Sequence, residues 1–116
     1  MRETTHCTLE PTAGVLIVRL KGPGLSEQEV ASVLSDLNAD APSQHWRIAL
    51  DLTKVEFLAS AGIGALINIH RSCSTGGGGL AMFGVNDNIE QVFKITKMNK
   101  FFTITKDQTK AIKKLV

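Results

Sequence analysis

Residues 47–70 read RIALDLTKVEFLASAGIGALINIH, and the period of their apolar positions changes once along that stretch. Ile48, Leu50 and Leu52 belong to an apolar run typical of an interior strand, whereas Ile63, Leu66, Ile67 and His70 recur at helical spacing. Between them, Val55 to Gly64 place one hydroxyl, Ser60, between Ala59 and Ala61 where the strand gives way to the helix. A helix N-terminus carries unsatisfied backbone N–H groups and about half a positive charge. A phosphate on Ser60 would therefore be held by the backbone rather than resisted. The plainer reading of the same residue is an N-cap, a role worth about 1 kcal/mol.

On either side of this stretch the chain alternates strands and helices without a low-complexity linker or an internal repeat. Upstream, Val15 to Leu20 is rich in β-branched residues and reads as a strand following a shorter one near Cys7 to Glu10. Gly22-Pro23-Gly24 breaks it, and Ser26 with Glu29 has the spacing of a capping box. Val30, Val33, Leu34 and Leu37 then give the next helix one apolar face, and Pro42 and Ser43 close it. Downstream, the helix that begins at Ser60 is expected to run to about Ser74 and to end at Gly76 to Gly79. Leu80 to Phe83 is a short buried strand, after which Asn86 or Asp87 caps a helix with Ile89, Val92, Phe93 and Thr96 on its inner side. Phe101 to Thr105 reads as a last strand, and Thr105 with Gln108 as a second capping box. This order predicts an open, mixed and mostly parallel α/β sheet with four flanking helices. Loops leaving the carboxyl ends of its strands gather on one edge, and Ser60 lies there.

A chain of 116 residues with 43% hydrophobic content suits one domain spanning 1–116, globular and soluble. No apolar stretch approaches the roughly 20 residues that cross a bilayer, and the start Met-Arg-Glu-Thr-Thr-His-Cys lacks the apolar segment of a secretory signal. Membrane insertion is therefore not expected, a cytoplasmic location is, and Cys7 and Cys73 read as reduced thiols. The net charge of +2 is uneven: from Lys94 onward seven lysines face the single Asp107, a local +6 against −4 elsewhere. Lys106, Lys110, Lys113 and Lys114 are expected on the outer side of an amphipathic helix whose apolar residues are Ala111, Ile112 and Leu115, hence on a solvated face. Without arginines, or aromatics among those lysines, direct nucleic-acid binding is poorly served.

Enzymatic chemistry finds little support. His70 and Cys73 have a three-residue helical spacing, and His6 and Cys7 are also ligand types, but the spacings of zinc sites are missing and no metal or other cofactor is expected. Gly76 to Gly79 lacks the Lys-Ser or Lys-Thr of a phosphate-binding loop. Trp46 reads as an anchoring core or rim residue. Met82, Phe83, Phe93 and Phe101 read as core, while Met98 and Phe102 are placed nearer the surface as an apolar pair for a second contact.

The segment Ile48-Ala49-Leu50-Asp51-Leu52 through Phe57-Leu58-Ala59-Ser60-Ala61-Gly62-Ile63-Gly64 resembles a STAS domain of the bacterial anti-sigma factor antagonist family. The closing stretches Val92-Phe93-Lys94-Ile95-Thr96 and Thr105 to Leu115 support that resemblance, which covers nearly the whole chain. In the family the loop commonly reads Asp-Ser-Ser-Gly or Asp-Ser-Thr-Gly, then an apolar residue and Gly, and its first hydroxyl is the regulatory phosphorylation site. The resemblance thus implies phosphorylation at Ser60, with Gly62 and Gly64 matching the two glycines. It further implies a contact surface of Leu58, Ala59, Ala61, Gly62, Ile63 and Gly64 for an anti-sigma factor with serine kinase activity, a phosphatase that resets the switch, and release of a sigma factor in transcription regulation. Two residues depart from the pattern: Ala59 stands where the family has an acid, and Ala61 where it has a second hydroxyl. Gly22-Pro23-Gly24-Leu25 also differs, since many relatives carry an acidic residue after a similar glycine. The alternative is a STAS-like scaffold or homodimer module in which Ser60 is only a helix cap.

Overall fold

The computed structural model describes residues 1–116 and contains six strands and four α-helices. In chain order these are β1 (Arg2–Glu3), β2 (Cys7–Thr12), β3 (Val15–Leu20), α1 (Glu27–Asp40), β4 (Arg47–Asp51), α2 (Ser60–Thr75), β5 (Gly79–Phe83), α3 (Asp87–Ile95), β6 (Thr103–Ile104) and α4 (Gln108–Leu115). The strands lie side by side in the order in which they are made, as one six-stranded mixed sheet. β1 and β2 pair antiparallel, as do β2 and β3, while β3, β4, β5 and β6 are parallel neighbours. A two-residue turn, Ala13-Gly14, joins β2 to β3 with φ of +54° and +81°, the doubly left-handed turn that matches strand twist.

Sequential order dictates the layering. Each parallel step needs a right-handed crossover, and steps taken in one direction put their helices on one face. Accordingly Val33 and Leu37 of α1, Leu66, Ile69 and Cys73 of α2, and Ile89 and Phe93 of α3 share one core with Leu16, Val18, Ile48, Leu50, Leu80 and Met82. The alternate strand residues, Val15, Ile17, Ala49, Ala81 and Phe83, point the other way and are covered by Ala111, Ile112 and Leu115 of α4. Alanine at 49, 81 and 111 brings α4 close to the sheet. With both faces covered, β3 is buried at every position except Arg19.

Several local expectations change. The buried stripe of α2 is Gly62, Ala65, Leu66, Ile69 and Cys73, so Ile63, Ile67 and His70 lie on its flank rather than at its centre. The expected strand at Phe101 to Thr105 shrinks to Thr103–Ile104, because a 3₁₀ turn at Met98–Lys100 occupies the approach. Phe101 and Phe102 exchange their expected places. Phe102 is buried against Phe93 with ring centroids 5.5 Å apart, whereas Phe101 is 47% exposed and lies over His70. Ser26 does precede α1, but its hydroxyl meets the Glu29 carboxylate at 3.1 Å instead of accepting a backbone N–H. Asp107, not Thr105, caps α4 by accepting from Lys110 N at 2.9 Å. Thr96 is exposed at the end of α3, its hydroxyl donating to Val92 O at 2.8 Å. Trp46 is half-buried at the rim, where a Cβ on Gly76 would come within 2.2 Å of its ring.

Candidate functional site at the carboxyl edge of the sheet

Four loops leave the carboxyl ends of β3, β4, β5 and β6 on one edge, and three of them meet around residues 53–59. At the end of β4, the Asp51 carboxylate accepts hydrogen bonds from both Thr53 N and the Thr53 hydroxyl. The loop after β3 contributes the Pro23 carbonyl, which accepts from Glu56 N at 2.7 Å and Phe57 N at 3.3 Å. For this the two backbones must touch. Gly22 adopts φ of +63°, and a Cβ there would stand 2.0 Å from Lys54 O. The loop after β5 supplies Asn86, whose side-chain amide donates to Val55 O and Glu56 O, each at 3.2 Å, while its Oδ1 accepts from Ile89 N at 2.8 Å. One side chain thus caps α3 and clamps the loop in front of α2.

At the start of α2, Ser60 does not occupy the N-cap position. Ala59, in extended conformation with φ −83° and ψ 172°, is the N-cap, and Ser60 is the first helical residue. An N-cap oxygen bonds N–H groups two or three residues ahead, a geometry that a residue already within the helix lacks. Ser60 is therefore not the cap. No side chain closes this end; Gly62 N and Ile63 N turn back to Ala59 O at 2.9 and 3.2 Å, which leaves Ser60 N and Ala61 N without backbone partners. Ser60 itself is exposed. The result is an accessible hydroxyl at an uncapped, electropositive helix end on a loop held from three sides.

The residues expected to touch a partner divide into two groups. Ala59 and Gly64 are exposed, and Ala61 and Ile63 are half-buried; a Cβ on Gly64 would meet nothing within 4 Å, so that glycine opens onto free surface. Gly62 faces inward instead, where a Cβ would press on Leu25 and Leu58 at 3.1 to 3.2 Å, and Leu58 packs against the core. Their task is seating α2. Phe57 is not among the expected contacts, yet it is 56% exposed three residues before Ser60, with its ring laid over Gly24. An aromatic residue in the short loop before Ser60 is the available signal, but its exposure is set by the glycine loop beneath it. Gly22 to Leu25, a departure in sequence, is thereby part of the site.

Other candidate residues are placed apart from Ser60. Cys7 and Cys73 are both buried free thiols. Burial pushes the Cys73 thiol up to about 12 and is also the main cause of the rise at Cys7, which lies 3.3 Å from the Thr4 hydroxyl and 3.7 Å from the Asp36 carboxylate. His70 packs against Phe101 with ring centroids 4.4 Å apart and planes tilted by 41°. No three His, Cys, Asp or Glu side chains are grouped so as to hold a metal ion. No helix is long and apolar enough to cross a membrane. Gly78 ends the α2 connection because a Cβ there would fall 2.1 Å from Trp46 O, a packing reason rather than a phosphate-binding one.

A family model described as the STAS domain matches residues 6–111. Among solved structures, a Thermotoga maritima protein described as an anti-sigma factor antagonist is 23% identical, with a TM-score of 0.73 over 94% of this chain and 93% of that one. The unphosphorylated form of the anti-sigma factor antagonist SpoIIAA is 16% identical, with a TM-score of 0.71 over 93% and 94% of the two chains. The murine solute carrier 26 anion transporter solved in its inward-facing state is 19% identical, with a TM-score of 0.71 over 87% of this chain and 17% of the transporter. At these identities the structural likeness concerns the fold.

Proposed function

This chain belongs to the STAS domain family, and from that premise we propose that it is an anti-sigma factor antagonist: its unphosphorylated Ser60 loop binds an anti-sigma factor that is also a serine kinase, and phosphorylation of Ser60 weakens the complex. The observation that carries the proposal is the exposed, uncapping Ser60 at the open end of α2. The domain then acts in transcription regulation by binding and not by catalysis, in the cytoplasm of a bacterium, with a serine phosphatase to reset it.

Physical chemistry supports both states of such a switch. In the unmodified state, Phe57 and Ile63 offer apolar surface while Ala59, Ala61 and Gly64 let a partner backbone come close. Phosphate brings about −1.5 to −2 charges to that contact. Inside the free domain it is tolerated, because Ser60 N and Ala61 N are unbonded and the helix dipole favours an anion by about 0.3 to 1 kcal/mol. The absence of an acid at position 59 removes a repulsion. Against a partner the same charge must be desolvated, and a hundredfold loss of affinity corresponds to about 2.7 kcal/mol. No large rearrangement of the fold is needed.

The rival reading, a scaffold or homodimer module without phosphorylation, draws on Ala59 and Ala61, which remove the usual acid and second hydroxyl from the loop. Wild-type, Ser60→Ala and Ser60→Asp domains used as baits in lysate of the native organism, with mass-spectrometric mapping of Ser60, separate the two. The switch requires a kinase-type anti-sigma factor on the wild-type and alanine baits, its loss from the aspartate bait, and phosphate on Ser60. Equal recovery of one partner by all three baits with no phosphate would establish the static module.

A further inference from the structure

On the same carboxyl edge, α3 and α4 enclose an open cleft of about 960 Å³ into which Lys94, Lys106, Lys110, Lys113 and Lys114 are gathered. The sequence places Lys106 on the α4 helix and all but Lys94 of these on its solvated side; in the structure Lys106 precedes the Asp107 cap, and the lysines line a concavity rather than a convex face. Of these lysines only Lys94 forms an ion pair, with Glu90 at 3.9 Å, and that pair is exposed; Asp107 lies between Lys106 and Lys110 in the chain and accepts from Lys110 N with one carboxylate oxygen. The other four make no ion pair. Like charges in a concave wall raise the local concentration of anions more than the same charges on a convex one. They also repel one another, so the arrangement favours an anionic occupant.

The lining narrows the class of anion. Val85 and Ile104 are the only hydrophobic residues, and there is no aromatic ring on which a base would stack. Lysines rather than arginines supply the charge, as mobile point cations without the planar fork that fixes one phosphate or carboxylate geometry. The floor is continuous with the Ser60 loop. Gly84 and Val85 line the cleft, and Asn86, next in the chain, holds Val55 and Glu56 by their carbonyls. The eight residues of α4 extend about 12 Å, a length spanned by about four residues of extended chain.

We propose that this cleft is a docking site for a carboxylate-rich stretch of polypeptide, carried by the partner that covers Ser60. Only the last clause rests on the function proposed above; the cleft's affinity for acidic peptide does not.

The test uses the purified full chain and a fluorescein-labelled decaglutamate peptide, read by fluorescence anisotropy across a salt series. Saturable binding is expected, falling as salt rises, and weakened about tenfold or more in Lys110→Glu/Lys113→Glu. Lys54→Glu/Arg71→Glu, with the same change of net charge outside the cleft, should change binding less than about threefold by the same screening argument. Circular dichroism checks folding, and Lys110→Gln/Lys113→Gln replaces the first variant if it is unfolded. Ser60→Asp should leave peptide binding unaltered, so a failed phosphoswitch and a failed cleft give different results. The proposal is overturned by absent peptide binding, by equal losses in the two charge-reversal variants, or by inorganic tripolyphosphate occupying the cleft more tightly than the peptide.

Discussion

Asn86→Ala should destabilise the domain by about 2 kcal/mol, although Asn86 is half-buried and lies outside the apolar core. Two losses add. The side chain caps α3 through Ile89 N at 2.8 Å, a role worth about 1 kcal/mol. Its amide also donates to Val55 O and Glu56 O at 3.2 Å, and two bonds of that length, one of them exposed, are worth about 0.5 kcal/mol each. At about 2.1 cal/mol/K per residue, 2 kcal/mol lowers Tm by about 8 °C. Asn86→Ser isolates the clamp, since serine keeps a capping oxygen but lacks the longer amide NH2 that reaches Val55 O and Glu56 O; it should sit midway, about 1 kcal/mol below wild type. Urea denaturation of the three proteins measures the order, and hydrogen exchange should quicken at Glu56 and Phe57 in the serine variant. A serine variant as stable as wild type, with unchanged exchange in that loop, would refute the claim that Asn86 holds the Ser60 loop.

Other consequences are open to direct measurement. Ser60→Ala should alter the unfolding free energy by less than about 0.5 kcal/mol, because Ser60 is not the cap; a loss near 1 kcal/mol in urea titration would restore the capping role. Phe102→Ala should cost about 3 to 5 kcal/mol and Phe101→Ala less than about 1, since only the former empties buried volume against Phe93. Native protein should leave Ellman's reagent unreacted at pH 8, and denatured protein should release two equivalents, because both thiols are buried. The raised Cys73 pKa has a definite sign: its stabilisation is complete below the unfolded thiol's value near 8.5 and is lost as pH rises from there toward about 12. Cys73→Ala should therefore flatten the alkaline arm of the stability curve, and an unchanged arm would contradict the burial.

Much of this protein is legible in one dimension. Ile48, Leu50 and Leu52 against Ile63, Leu66, Ile67 and His70 distinguish strand from helix because a pleat repeats every two residues and a helix every 3.6. The same reasoning orders the central elements and finds Ser60 at a helix start. Adjacent identical residues defeat it: Phe101 and Phe102 have equal hydrophobicity, and which is buried depends on a 3₁₀ turn that rotates the chain before a strand of two residues. Capping depends on dihedral angles at single residues, so Ala59, with no side-chain acceptor, and Asp107 displaced the more suggestive Ser60 and Thr105.

The α/β class, the sheet's interior strands and the position of the hydroxyl are readable along the chain, because each depends on periodicity between near neighbours. The convergence of Pro23 and Asn86 on the Ser60 loop, the inward Gly62 beside the outward Phe57, and the cleft lined by the C-terminal lysines emerge when the chain is folded. Those facts arise from contacts between loops separated by tens of residues, which meet because parallel strands with right-handed crossovers deliver their carboxyl ends to one edge.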